Sequence, residues 1–417
     1  MTEQKMSSEK PAKPGKMALL LIFLTVFIDL VGFGIIIPVL PTYAVKFGAD
    51  ATMVGILLAS YSLMQFFFTP FWGRLSDKVG RRPILLTSLL ASAIGYLIWG
   101  FSASLPMLFL SRLVAGFGNA NLAVAQAYIS DVTTEENRAK GMGLIGAAFG
   151  LGFVLGPAIG GLASPFGLNT IGYLAAACSI IDLVLTFFML PEPEKRSQAA
   201  HERFSVEPNF YLKTLNNNKL KASLLIFFIS TFAFANMEAT LVLLTAKQFQ
   251  FTAQQNAWMF FYIGMIMVLV QGGLIGRLSK RFGEKKLIVA GSLLVAAGLI
   301  LTPATSQISV LYVALFLLAL GSGINTPSNQ SMLSKLSDKG QVGGIMGVGQ
   351  SLATLGRIFG PIAGGFAFEH MGLAAPYAIG AAAMLVVAAL GFTLPELPTS
   401  NSGSNGNKKT PDNAVVA

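Results

Sequence analysis

Charge is what this 417-residue sequence has least of. Asp, Glu, Lys and Arg together make up 12% of it, about half the share in an average soluble domain, which is roughly 25%. Set against 53% hydrophobic residues, that scarcity excludes an ordinary water-soluble globule. The sequence has one cysteine, Cys178, so no internal disulfide can form, and its small apolar neighbours mark it as a packing residue. The two histidines, His201 and His370, belong to no His/Cys ligand cluster in sequence, so no metal site is expected. There is no Gly-x4-Gly-Lys-Ser/Thr phosphate loop, no Gly-x-Ser-x-Gly elbow and no His-Glu-x-x-His pair. ATP-driven transport and the common hydrolase chemistries are disfavoured accordingly, and the chain is not expected to be an enzyme.

Long apolar runs are what the sequence has in abundance. Crossing a hydrocarbon core of about 30 Å takes about 20 residues. Runs of that length fall at 17–44, 50–72, 83–102, 105–130, 140–163 and 169–190, and again at 221–246, 254–275, 286–304, 308–332, 343–368 and 373–394. These are numbered spans 1 to 12. The polar start leads into an apolar run longer than a signal-peptide core, so span 1 is expected to stay in the chain.

The net charge of +10 raises the question of nucleic acid, which the placement of the basic residues answers. With the N-terminus on the cytoplasmic side, 25 of the 29 Lys and Arg fall on that side. Lys46 and Lys247 fall on the other, and Arg112 and Arg357 lie inside spans. This is the positive-inside asymmetry, and it predicts that both termini face the cytoplasm. The basic balance thus reflects topology and anionic lipid rather than DNA or RNA.

The sequence also repeats itself. Gly73-Arg-Leu-Ser-Asp-Lys-Val-Gly80 recurs as Gly276-Arg-Leu-Ser-Lys-Arg-Phe-Gly283, offset by 203. Gly152-Phe-Val-Leu-Gly156-Pro157 recurs as Gly356-Arg-Ile-Phe-Gly360-Pro361, Leu190-Pro-Glu192 as Leu394-Pro-Glu396, and Asn121 and Gln126 as Asn325 and Gln330, all offset by 204. Several landmarks sharing one offset predict two parallel six-helix halves. The expected organisation is a tail at 1–16, a first half at 17–190, a cytoplasmic linker at 191–220, a second half at 221–394 and a polar, disordered tail at 395–417.

Each repeated motif has a physical reading. After span 2 the chain must reverse tightly, and Gly73 and Gly80 are expected to supply turn freedom. Asp77 sits among Arg74, Lys78, Arg81 and Arg82, where a carboxylate can make charge-assisted bonds. In span 5, Gly152, Gly156, Gly160 and Gly161 allow a neighbouring helix close approach, and Pro157 removes a backbone donor. The stretch Gly73 to Arg82 resembles the cytoplasmic signature of the major facilitator superfamily, Gly-x-Leu-x-Asp-Lys/Arg-x-Gly-Arg-Arg/Lys. The Gly152–Gly161 stretch looks like the motif of that family's antiporter branch. Gly32-x5-Pro38-Val-Leu-Pro41 after Asp29, and Arg112-Leu-Val-Ala-Gly116-Phe-Gly118, resemble motifs of its twelve-helix drug:proton antiporters, tetracycline-efflux carriers especially. The resemblance implies an all-α membrane protein of twelve helices in two pseudo-symmetric halves. It further implies a monomer exchanging protons for a small molecule without a cofactor, in a bacterial inner membrane, with the Asp77–Arg81–Arg82 cluster acting as a cytoplasmic gate. The chain departs from tetracycline carriers in having no acidic residue in span 9, no histidine in span 8 and Ala115 where they carry glutamine.

Ionisable side chains in the bilayer core are costly, about 2.5–3.5 kcal/mol on insertion scales, and so mark functional positions. Asp29 in span 1 and Arg112 in span 4 are the candidates for proton coupling in the first half. Glu238 in span 7 and Arg357 in span 11 are their counterparts in the second, either lining a central cavity or bracing two helices as an ion pair. Gln65, and the helically spaced stripe of Arg112, Gly116, Asn119, Ala123 and Gln126, are expected on a cavity, as are Ser322, Asn325 and Asn329 in span 10. Asp182 in span 6 reads as locally structural. The functional expectation is proton-coupled export of a drug-like amphipath by alternating access. A carrier for a specific metabolite or sugar is the alternative, and a membrane receptor or enzyme the remote third.

Overall fold

The computed structural model describes residues 16–119, 121–133, 135–193, 208–338 and 341–396. Most of both tails, and the part of the linker that holds His201, lie outside the described residues. Among the described residues the regular structure is helical throughout. Spans 2, 3, 5 and 6 are single helices, Ala51–Val79, Arg81–Gly100, Glu135–Ala163 and Leu168–Met189. So are spans 7, 9, 10, 11 and 12: Asn218–Phe249, Glu284–Ala304, Ile308–Leu336, Val342–His370 and Ala375–Thr393. A short linker helix, Pro208–Leu215, precedes span 7.

The other three spans are interrupted. Span 1 is Lys16–Ile36 and then Leu40–Lys46, parted at Ile37-Pro38-Val39. Span 8 passes from Ala253–Leu269 through a π-helical turn at Val270–Leu274 into Ile275–Phe282. Span 4 breaks at Asn119 (φ −72°, ψ 73°) into Leu105–Gly118 and Asn121–Val132. The break corrects the expectation of one continuous stripe from Arg112 to Gln126. Carbonyls released at the break find side-chain donors instead: Trp72 Nε1 donates to Phe117 O at 2.7 Å, and Ser88 Oγ donates to Gly118 O.

Among the described residues, eleven helices are long and apolar enough to cross a bilayer. Span 11, at 29 residues, is long enough too, but eight glycines and Arg357 dilute its hydropathy. The protein is a multi-pass membrane protein. Within the first half span 1 packs on spans 5 and 6, and span 3 on spans 4 and 6. The second half repeats this: span 7 on 11 and 12, span 9 on 10 and 12. Among the described residues the halves join mainly through span 2 with 11 and span 5 with 8, and span 7 also touches spans 1 and 2.

The glycine motifs make these contacts, and the repeat makes them twice. A Cβ on Gly152, Gly156 or Gly160 would fall within 2.7 Å of Leu30, Gly34 or Ile35 in span 1. Gly356 and Gly360 stand the same way against Phe228 and Phe232 in span 7. Between halves, a Cβ on Gly55 would lie 2.1 Å from Pro361 O, and one on Gly365 2.2 Å from Ala51 O. Gly161 faces Ala257, and Gly264 faces Phe153.

All those inter-half contacts lie away from the basic loops. Gly150 still meets Val268, but Gly146 and Gly143, one and two turns further along span 5, meet nothing within 4 Å. Gly343 and Gly347 lie eighteen residues, five helical turns, before Pro361 and Gly365 and so on the same face of span 11; they too face open space. The halves therefore touch at one end and splay at the basic end.

Candidate transport site

Between the halves, above the splayed end, lies a cavity lined by Phe33, Ile36, Ile37, Leu58, Tyr61 and Arg112 from the first half, and by Ala235, Glu238, Arg357 and Pro361 from the second. Apart from Arg112 and Ser62, the first-half wall is aromatic and apolar. Phe33 and Tyr61 stand 5.2 Å apart, and Phe153 meets the other side of Phe33 at 6.2 Å. The charged groups of the second half, Glu238 and Arg357, share the opposite wall. They lie within electrostatic reach of each other, but no ion pair joins them, since salt bridges among the described residues are at Arg81, Glu284 and their partners. Arg357 is exposed in the cavity, with Thr354 Oγ1 at 3.4 Å from its Nη2.

Arg112 is 2% exposed and sits in an aromatic cage, its guanidinium carbon 5.0 Å from the Trp99 ring, 5.7 Å from Tyr96 and 5.9 Å from Tyr61. Desolvated cation–π contacts can contribute about 2 kcal/mol. Asp29, 7% exposed, reaches the same Tyr61 and Tyr96 electrostatically. Gly32 makes room for this cluster: a Cβ there would stand 3.3 Å from the Tyr96 ring. Tyr61, Tyr96 and Trp99 escape a sequence reading, because single aromatics in apolar runs look like lipid-facing or packing residues.

The other expected cavity residues separate into three cases. Gln65 donates to Asn119 Oδ1 at 2.9 Å, and Asn119 donates to the Tyr61 hydroxyl, so both stand one layer behind the wall. Gln126 is half-buried past the break and does not line the cavity. Asn325 and Asn329, each 2% exposed, correct the expectation for span 10. Asn329 bonds both Ser223 Oγ (2.7 Å) and Ser223 O (3.1 Å), and Asn325 Nδ2 bonds Ser292 Oγ at 2.8 Å. They knit spans 7, 9 and 10 together.

At the basic end, Gly73 is inside the span 2 helix, not in a turn, and Gly80 alone makes the reversal (φ 121°). Arg81 bonds Asp77 at 2.6 Å and Asp131 at 2.8 Å. Glu192 of the Leu-Pro-Glu motif accepts from the backbone N–H of Arg81 (2.6 Å) and Arg82 (2.8 Å), capping span 3. In the second half the chemistry is inverted: Glu284 takes the place of Arg81 and pairs with Lys335, which takes the place of Asp131, with Ser279 bonded to Glu284 at 3.0 Å.

The family model described as Major Facilitator Superfamily matches residues 22–275 and 224–416. The chain belongs to the Major Facilitator Superfamily. Within it, the class C tetracycline resistance protein of Escherichia coli is 36% identical over 349 residues, covering 83% of this chain and 88% of that one. Multidrug resistance protein 2 of Bacillus subtilis is 28% identical over 397 residues, 93% of this chain and 96% of that one. The solved human organic anion transporter MFSD10 superposes with a TM-score of 0.70 at 26% identity, over 91% of this chain and all of that one. The twelve spans and two halves of the superfamily fold are those described above, and the central cavity lies between the halves where such carriers take a small molecule.

Proposed function

We propose that this chain is a proton-coupled antiporter that exports an amphipathic, drug-like molecule from a bacterial cytoplasm. The observation that carries this reading is the division of the cavity. The first half holds a buried carboxyl, Asp29, beside a caged arginine, Arg112, while the second half presents Glu238 and Arg357 to the open space. A proton-binding group in one half and a ligand-binding wall in the other can be coupled when the halves rock about the site between them. The tetracycline and multidrug resistance relatives support export over uptake.

The basic end is read as cytoplasmic by the positive-inside rule, which makes the present shape inward-open. The substrate enters with its planar apolar body against Phe33 and Tyr61 and its charged group toward Glu238 or Arg357. A proton taken up by Asp29 from the far side returns the empty carrier. One charge crossing 100 mV supplies about 2.3 kcal/mol, enough for roughly fifty-fold accumulation. The gradient is the energy source, and no cofactor is needed.

The test is efflux from cells lacking their own pumps, with fluorescent cationic, zwitterionic and anionic amphipaths. The reading predicts export that an uncoupler stops, with Glu238→Gln and Arg357→Gln each changing which compounds leave. Accumulation of the same compounds, or export indifferent to an uncoupler, would refute it.

A further inference from the structure

Behind Asp29, away from the cavity, lies a second buried acid that the transport cycle above does not use. Asp182 in span 6 is 1% exposed, and among the described residues its Oδ2 makes no hydrogen bond. It makes no ion pair among them either. A carboxyl group so placed in a membrane span is costly, and that cost marks it as a functional candidate. Its surroundings are hydroxyls. Thr186, one turn along span 6, stands with its Oγ1 3.4 Å from Asp182 Oδ1, and Thr186 Oγ1 is 3.1 Å from Thr25 Oγ1 of span 1. Thr25 in turn is one helical turn from Asp29 on the same face. Thr25 and Thr186 are each 2% exposed and so are shielded from bulk solvent.

The titratable and charged groups that face Asp182 are few. From span 1 there is Asp29, within electrostatic reach, and from span 6 itself Cys178. Span 3 brings Tyr96, which neighbours Asp29 and Cys178, and Arg82, whose guanidinium is turned onto Phe187, donating to its carbonyl and lying 5.6 Å from its ring. Among the described residues span 5 brings no charged side chain to it. Two carboxyls within electrostatic reach of each other titrate as a pair, not as individuals.

We propose that Asp182 is a second proton-holding carboxyl, which exchanges a proton with Asp29 across the Thr25–Thr186 hydroxyl pair. In the transfer one carboxyl O–H breaks, each intervening hydroxyl gives up one proton as it gains another, and a new O–H forms on the other carboxyl. No other reactant is needed. The route keeps the proton out of the substrate cavity, whose first-half wall ends at Tyr61 and Arg112. The inference rests on the antiport reading, and its failure is separable from a failure of that reading.

The experiment uses the full chain in proteoliposomes, with a transported fluorescent amphipath as probe. Two modes are compared: exchange of labelled for unlabelled probe at equal pH, which moves no net proton, and uphill transport driven by a pH difference. Wild type must show the second mode, or the antiport reading itself is wrong. With wild type coupled, Asp182→Asn is predicted to keep exchange within about two-fold while pH-driven transport falls at least ten-fold. Asp182→Glu is predicted to restore part of it with a displaced pH profile. In infrared difference spectra between alkaline and acid pH, Asp182→Asn should remove a protonated-carboxyl band that Asp182→Glu shifts. Unchanged pH-driven transport in Asp182→Asn would overturn the proposal. So would equal loss of both modes in Asn and Glu variants with the carboxyl bands intact, which marks a purely structural residue. Should Asp182→Asn not fold, Thr186→Val takes its place: slowing of the coupled mode alone supports the relay, and an unchanged coupled mode overturns it.

Discussion

The carboxylate of Glu369, at the end of span 11, accepts the backbone N–H of Ala51, the first residue of the span 2 helix, at 3.0 Å. The contact joins the two halves at the end opposite the basic loops, next to the places where Gly55 meets Pro361 and Gly365 meets Ala51. A charge-assisted bond at a helix N-terminus is a reversible fastening, since it can be broken without unpacking either half.

Removing that fastening should tilt the carrier toward its other state. Glu369→Ala is expected to cost the present conformation about 1–2 kcal/mol, a roughly five- to thirty-fold change in the ratio of states. Spin-label distances between positions 53 and 371 in a Cys178→Ser chain would register it as growth of a longer-distance population.

The glycines make a sharper prediction, with opposite signs at the two ends. Gly365→Ala places a Cβ against backbone that cannot retreat, so it should open the fastened end and expose position 53 to a membrane-impermeant thiol reagent. Gly146→Leu and Gly347→Leu fill space that is empty here and must close in the other state. They should hold the halves as they are, lowering turnover at least ten-fold while substrate binding persists.

The inverted pairs at the basic end predict a rescue. Glu284 is 4% exposed and Lys335 about half exposed, so Lys335→Ala should destabilise the second half by about 1–2 kcal/mol by leaving a buried carboxylate with only its serine donors. Glu284→Arg alone should do worse, and Glu284→Arg with Lys335→Asp, which copies Arg81–Asp131, should recover most of the loss. Melting temperature in detergent checks all three.

Asn329→Ala is expected to lower thermal stability through the loss of two buried bonds to Ser223, yet to leave the order of preferred substrates unchanged. A changed substrate profile would return Asn329 to the cavity wall.

Much of the fold was legible in the sequence, because bilayer thickness and the 204-residue repeat constrain it directly. The repeat also told where glycines meet neighbours, and the structure adds which neighbours: spans 1 and 8 for the first copy, spans 7 and 2 for the second. At the site, polarity alone was a poor guide. Asn325 and Asn329 share a face with cavity-like spacing, but buried serines on spans 7 and 9 satisfy them within the half, and those partners are distant in sequence. Arg112 stood out, whereas its cage of Tyr61, Tyr96 and Trp99 did not, since separate spans supply it. The Glu284–Lys335 pair was readable in principle: adding 203 to Arg81 and 204 to Asp131, the two offsets of the repeat, lands on both.

The central claim is that Asp29 carries a proton against the flow of substrate, and a pH-sensitive dye inside proteoliposomes tests it most directly. Adding a transported amphipath should drive protons in the direction opposite to its own movement. Asp29→Asn should abolish that proton signal while the same compound still binds. Proton movement in the same direction as the substrate, or an undiminished signal in Asp29→Asn, would contradict the account.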